Sequence, residues 1–129
     1  MLNPIRQASI TSRGSGDLLV VSIVGPLTAG GGDMQLRSAL TAGIGAGARR
    51  VVLDFSHLST LDSSGLGELM RASTAMEECG GRMAWAGCPR TMRDILEITS
   101  VEFENVVFAS AVDEGIAALG TATNHAELG

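Results

Sequence analysis

The residues of this chain with the types and spacing to do chemistry lie in Ser59-Thr60-Leu61-Asp62-Ser63-Ser64-Gly65-Leu66-Gly67-Glu68-Leu69-Met70. An acid, paired serines and a Gly-x-Gly admit three chemistries: a serine nucleophile, a phosphate-gripping loop, or a serine that another protein modifies. A nucleophile elbow needs G-x-S-x-G, yet Leu61 lies two residues before Ser63 and Asp62 two residues before Ser64. His57 is near in sequence, but nothing marks the third member of a triad. A P-loop needs a Lys after its second Gly, and this chain has no lysine; its nine cations are all arginine. The dinucleotide fingerprint fails as well, because no third Gly follows Gly65-x-Gly67 at the right place. His57, His125, Cys79 and Cys88 do not have the spacing of a zinc site or a redox pair. The residues therefore predict neither an enzyme nor a cofactor or metal site, and both cysteines are expected to be reduced and in or near the core.

The simplest role for Asp62, Ser63 or Ser64 is to cap a following helix, worth around 1 kcal/mol. Capping and modification are compatible. A helix N-terminus offers unpaired N–H groups and the positive end of the dipole. A phosphate of about two negative charges is tolerated there by the protein itself, but repels an acidic or apolar partner surface. Such a serine suits a switch that acts on binding and leaves the fold intact.

The elements that must position these serines are legible around them. With 129 residues the chain predicts a single domain over 1–129, with a core from about 9 to 120 and a loose tail over 121–129. A chain of this size buries roughly two-thirds of its unfolded surface. Apolar residues make up 45% and aromatics 3%, so the core is expected to be aliphatic. The net charge of −5 argues against nucleic acid as a partner. No apolar run approaches the roughly 20 residues of a membrane-spanning helix, and the N-terminus lacks a signal-peptide stretch, so the expected location is cytoplasmic.

Residues 5–13 predict a short edge strand, and Gly14-Ser15-Gly16-Asp17 a hairpin turn. Asp17–Val24 reads as a strand stopped by Gly25-Pro26, and Thr28–Asp33 as flexible. Met34–Leu40 has helical spacing, with Asp33 as its N-cap or first-turn acid. Arg49 and Arg50 read as a solvated pair before the strand Arg50–Phe55, which Ser56–Leu61 follows as a loop containing His57. Ser64–Cys79 predicts a helix ended by Gly80-Gly81. Arg82–Ala86 predicts a strand carrying Trp85, and Pro89 opens a helix with Met92, Ile95, Leu96 and Ile98 inward. Val106–Phe108 reads as a last strand, and Ser110 as the cap of a helix with Val112, Ile116, Ala117 and Leu119. Met70, Met76, Met83 and Met92 are read as core rather than as an adaptable surface. The order ββαβαβαβα predicts an α/β domain with a small, mostly parallel sheet of four or five strands, a mixed edge and about four helices.

The run Val51-Val52-Leu53-Asp54-Phe55-Ser56-His57-Leu58-Ser59-Thr60-Leu61-Asp62-Ser63-Ser64-Gly65-Leu66-Gly67 resembles the STAS-domain family, and within it the anti-sigma factor antagonists. The family pattern is a buried strand, then D-[FL]-x-x-[LV]-x-x-[ML]-D-S-[ST]-G-L, then a helix, and the resemblance covers about residues 9–120. It implies the STAS fold and a partner that is an anti-sigma factor and serine kinase. It implies that the unphosphorylated chain binds that kinase and releases a sigma factor. Phosphorylation at Ser63 ends binding, and a PP2C-type phosphatase restores it. Asp62 would shape the loop and the kinase contact, and Ser64 would cap the helix or make a neighbouring contact. Gly65 would allow close backbone approach, and Leu66 would begin the partner-facing or packing face. After the second strand antagonists carry G-E-[IL]-D beside the phosphorylation loop; here Gly25-Pro26-Leu27-Thr28 aligns, so Leu27 and Thr28 join the expected partner-binding set. STAS domains also serve as modules of stressosomes and lipid-transport complexes, the alternative role, and can form weak homodimers.

Overall fold

The computed structural model describes residues 7–99, 103 and 105–120. The expected tail over 121–129, and residues 5 and 6 of the first expected strand, lie outside the described residues.

The chain runs β1 Ser9–Ser15, β2 Leu18–Leu27, α1 Asp33–Gly45, β3 Arg50–Leu61, α2 Ser63–Glu78, β4 Arg82–Ala86, α3 Arg90–Thr99, β5 Val106–Ala109, α4 Val112–Leu119. The strands form one sheet in the order β1-β2-β3-β4-β5. β1 pairs antiparallel with β2, and the other neighbours pair parallel. The predicted α/β class, element order and mixed edge are what the chain adopts.

Period-2 alternation along the strands assigns side chains to two faces. Leu19, Val21, Ile23, Val51, Leu53, Phe55, Met83 and Trp85 point to the face covered by α1, α2 and α3, and meet Leu36, Leu40, Leu69, Met76, Met92 and Leu96. Val20, Val52, Ala84 and Ala86 point to the other face, under Leu119, Val112 and Ile116 of α4. The main core is aliphatic, as the composition predicts, apart from one aromatic group: Trp85, fully buried, contacts Phe55, Phe103 and Phe108 at ring-centroid distances of 5.6, 4.6 and 5.6 Å. No helix among the described residues is long and apolar enough to cross a membrane.

The largest departure from the sequence-based expectations lies next to the candidate site. Gly25-Pro26 does not stop the second strand, and Ser56–Leu61 is not a loop. β2 continues to Leu27 and β3 to Leu61, with Gly25 paired to Leu58, Pro26 to Thr60 and Leu27 to Leu61 across register shifts. Proline is compatible with a strand where a bulge or edge removes the need for its N–H. β1 stops pairing at Val24, so Pro26 lies beyond the antiparallel partner. His57 is accordingly an exposed strand residue.

Smaller corrections have local causes. Ile98 is 82% exposed rather than inward, and Met70 is 46% exposed rather than core. Arg49 and Arg50 are not a solvated pair. Arg49 donates to the carbonyls of Ile44 and Ala48, while Arg50 bridges Asp17 at 2.8 Å and donates to the Gly120 carbonyl. They tie the start of β3 to the ends of its neighbours. Ser110 does not cap α4. Its hydroxyl donates to Glu114 Oε2 at 2.5 Å, and Ala111 occupies the cap position without a side-chain bond.

Candidate functional site

The two strand extensions carry the chain up to the start of α2. Asp62 takes an extended conformation (φ −115°, ψ −174°) and is the N-cap of the 16-residue helix. Its Oδ1 accepts from the Gly65 amide at 2.9 Å. Its Oδ2 accepts from the Ala29 amide at 3.1 Å, in the connection between β2 and α1. One carboxylate thus satisfies an orphan donor of the helix and also anchors the neighbouring turn. These bonds, Gly65 first and Ala29 second, hold the Asp62 carboxyl below the usual aspartate range. The cap is therefore Asp62, not Ser64. Ser63 is the first helical residue, exposed, and Ser64 is half-buried in the first turn.

The segment Thr28–Asp33 is a closed turn, not a flexible stretch. Thr28 and Gly31 exchange backbone hydrogen bonds at 3.0 and 2.8 Å. Gly32 is held at φ 103°, a left-handed conformation that favours glycine. It occupies the cap position of α1 without a side-chain bond, so Asp33 is the first-turn acid rather than the N-cap. Asp33 Oδ1 accepts from the amides of Gly30 and Met34 at 3.2 and 2.8 Å.

Gly65 has a separate constraint. A Cβ built there would stand 2.0 Å from the Leu27 carbonyl oxygen and 2.8 Å from Leu61 Cδ1. The first turn of α2 therefore rests directly on the end of β2. All of the expected site residues come together in this way. Asp62, Ser63, Ser64, Gly65 and Leu66 form the helix start, and Leu27 and Thr28 form the strand end beneath it. They differ in exposure. Asp62 and Ser63 face solvent, Thr28, Ser64 and Leu66 are half-buried, and Leu27 and Gly65 are buried. Leu66 packs on the main core, so of its two expected faces it takes the packing one. Leu27 is fully buried and supports the site from inside.

Sequence reasoning missed Ala29, which acts through its backbone amide and so leaves no trace in residue type. It also missed the pair Arg37–Glu68. Glu68 lies on the inward side of α2, 7% exposed, and is gripped by Arg37 Nε at 3.0 Å and by Arg37 Nη2. A signal was available, since Glu68 sits among Gly65, Leu69 and Ala72 on the apolar stripe, where a carboxylate needs a partner. Burial raises the Cys88 thiol to about 11, which makes it a poor nucleophile near neutral pH, and both cysteines are free thiols.

Chemically the site offers an exposed hydroxyl at the positive end of a helix, with a fixed carboxylate beside it. It can accept a modifying group and present a shaped surface. Three comparisons bear on what uses that surface. The family model for the STAS domain matches residues 9–114. A sequence comparison with curated proteins gives no match. Among solved structures, an anti-sigma factor antagonist from Mycobacterium paratuberculosis is 17% identical, over 94% of this chain and 100% of that one, with a TM-score of 0.77. The Bacillus cell fate determinant SpoIIAA in its phosphorylated form is 19% identical, over 85% and 98%, with a TM-score of 0.68. A variant of RsbS from Moorella thermoacetica is 20% identical, over 92% and 97%, with a TM-score of 0.74. At these identities the likeness establishes a shared fold.

Proposed function

This chain belongs to the STAS-domain family, and on that premise we propose that it is an anti-sigma factor antagonist switched by phosphorylation of Ser63. Unphosphorylated, it binds an anti-sigma factor that is also a serine kinase, and so frees a sigma factor. The kinase transfers phosphate to Ser63, the complex dissociates, and a PP2C-type phosphatase resets the switch. The setting is the cytoplasm, where sigma factors act.

The observation that carries this reading is the placement of Ser63. Its hydroxyl is exposed at the first position of a long helix, and the cap is made by Asp62 instead. Ser63 is thus available for transfer without any structural bond being surrendered. Asp62 and the Thr28–Asp33 turn fix the loop that a kinase would grip, with Ser64, Thr28 and the Gly65 backbone at its border. Leu27 and Leu66 hold that border from the core side.

The reading is tested by calorimetric titration of the chain with an anti-sigma serine kinase. The unmodified chain binds, Ser63→Glu weakens binding tenfold or more, and the melting temperature stays within a few degrees. Should Ser63→Glu unfold the domain, Ser63 is a structural residue and the switch fails.

A second reading, a STAS interaction module of a stressosome or lipid-transport assembly, is favoured by one feature. Pro26 and Thr28 stand where the resemblance places the antagonists' acidic pair, so the surface beside Ser63 has less charge to offer a kinase. Binding to the kinase that is insensitive to Ser63→Glu would favour this second role.

A further inference from the structure

A groove runs between α1 and α2, away from Ser63, with a volume of about 350 Å³. That lies at the small end of the roughly 300–1,000 Å³ range of ligand pockets. Its walls are Leu40 and Ile44 from α1 and Ala72 and Ala75 from α2, and it is predominantly apolar. The slot exists because α2 presents alanines where larger side chains would close it.

The charges at its mouth do not cancel. Glu68 and Arg37 neutralise each other through two bonds from one guanidinium. Arg71 also lines the groove and pairs with the same carboxylate, its Nε 3.7 Å from Glu68 Oε1 and its side chain 63% exposed. Its guanidinium makes no hydrogen bond to protein among the described residues. Two guanidiniums therefore share one carboxylate among the residues lining the slot, an excess of one positive charge at its mouth, on a chain of net charge −5. A cation is disfavoured there by Arg71, and a wholly apolar ligand would leave that charge unmatched. A planar carboxylate matches the fork of an arginine, and a single negative charge matches the single excess positive charge.

We propose that this groove binds an aliphatic monocarboxylate, with the alkyl chain between α1 and α2 and the carboxylate on Arg71. The proposal is independent of the switch at Ser63.

Octanoate is the probe, titrated into the isotopically labelled protein while amide NMR shifts are followed. Saturable shifts are expected along Leu40–Gly45 and Glu68–Ala75. Octan-1-ol, with the same chain and no charge, should bind about tenfold more weakly, the loss of roughly one charge-assisted hydrogen bond. Arg71→Gln should bring octanoate down to the level of the alcohol. Ala75→Leu, which fills the slot from α2, should abolish binding of both. Thr41→Leu fills it from α1 and provides the same test should Ala75→Leu disturb the fold. The proposal is overturned if the shifts do not saturate, or if they centre on the exposed edge at Val107 and Phe108. It is equally overturned if binding survives both filling variants, or if acid and alcohol bind alike.

Discussion

Replacing Gly65 by Ala should test how tightly α2 is seated on β2. The added methyl would lie 2.0 Å from the Leu27 carbonyl oxygen and 2.9 Å from its carbon. Both sides of this contact are backbone, so no rotamer change relieves it. The two segments must part by about 1 Å to reach the 3.0 Å floor that real Cβ contacts respect. Overpacking of this kind costs roughly 1–3 kcal/mol, and the rigid partner places it near the top of that range. The better helix propensity of Ala offsets about 1 kcal/mol. The net loss is about 2 kcal/mol, or ~8 °C in melting temperature at about 4 °C per kcal/mol for a domain of this size. Gly67 is the control. It lies in the same helix, and a Cβ there meets nothing within 4 Å, so Gly67→Ala should stabilise by up to about 1 kcal/mol. Trp85, the only tryptophan and fully buried, reports unfolding by the red shift of its emission. Shifts of opposite sign from substitutions two residues apart are expected. A Gly65→Ala variant that melts at or above the parent would refute the close approach.

Further predictions concern charge. Asp62 is held below its usual pKa by amide donors, so its contribution to stability is complete above the ordinary aspartate value of about 4 and fades as pH falls through the lower folded value. Asp62→Asn should therefore flatten the acid limb of a melting-temperature profile, but only in part, because Asp17 beside Arg50 is shifted the same way. A second negative charge at Ser63→Glu should raise the Asp62 carboxyl pKa, measurable by carboxyl-carbon NMR titration, because like charges at one helix start oppose ionisation; an unchanged value would place the two side chains apart. Arg37→Leu alone should melt lower than the double variant Arg37→Leu with Glu68→Leu, since the single change leaves the buried Glu68 carboxylate without its main partner. A double variant less stable than the single one would show that the pair is not what holds Glu68 in place.

The continuous apolar run Val51-Val52-Leu53 made a strand buried on both faces legible, while which side chain takes which face follows from the period of 2 along the folded strands. The helix over α2 and the exposed serine at its start were legible from capping chemistry and from the D-S-S-G-L pattern. The extension of β2 through Pro26 was not, because proline is a local stop signal and only the bulged pairing with β3 overrides it. The closed turn at Thr28–Gly31 is built from backbone bonds, which composition rich in glycine reads as flexibility. Asp62 as cap, rather than Ser63 or Ser64, follows from where β3 ends; the three residues are equivalent candidates without that boundary. The exposure of Ile98 reflects a helix whose inward stripe ends at Leu96.

The proposed switch acts through Ser63. Its test is to incubate the protein, Ser63→Ala and Ser64→Ala with ATP and anti-sigma serine kinases of the same genome, and to measure intact mass. A single phosphate on the parent and on Ser64→Ala, and none on Ser63→Ala, is the predicted result. A phosphate that persists in Ser63→Ala, or that no such kinase transfers to the parent, would contradict it.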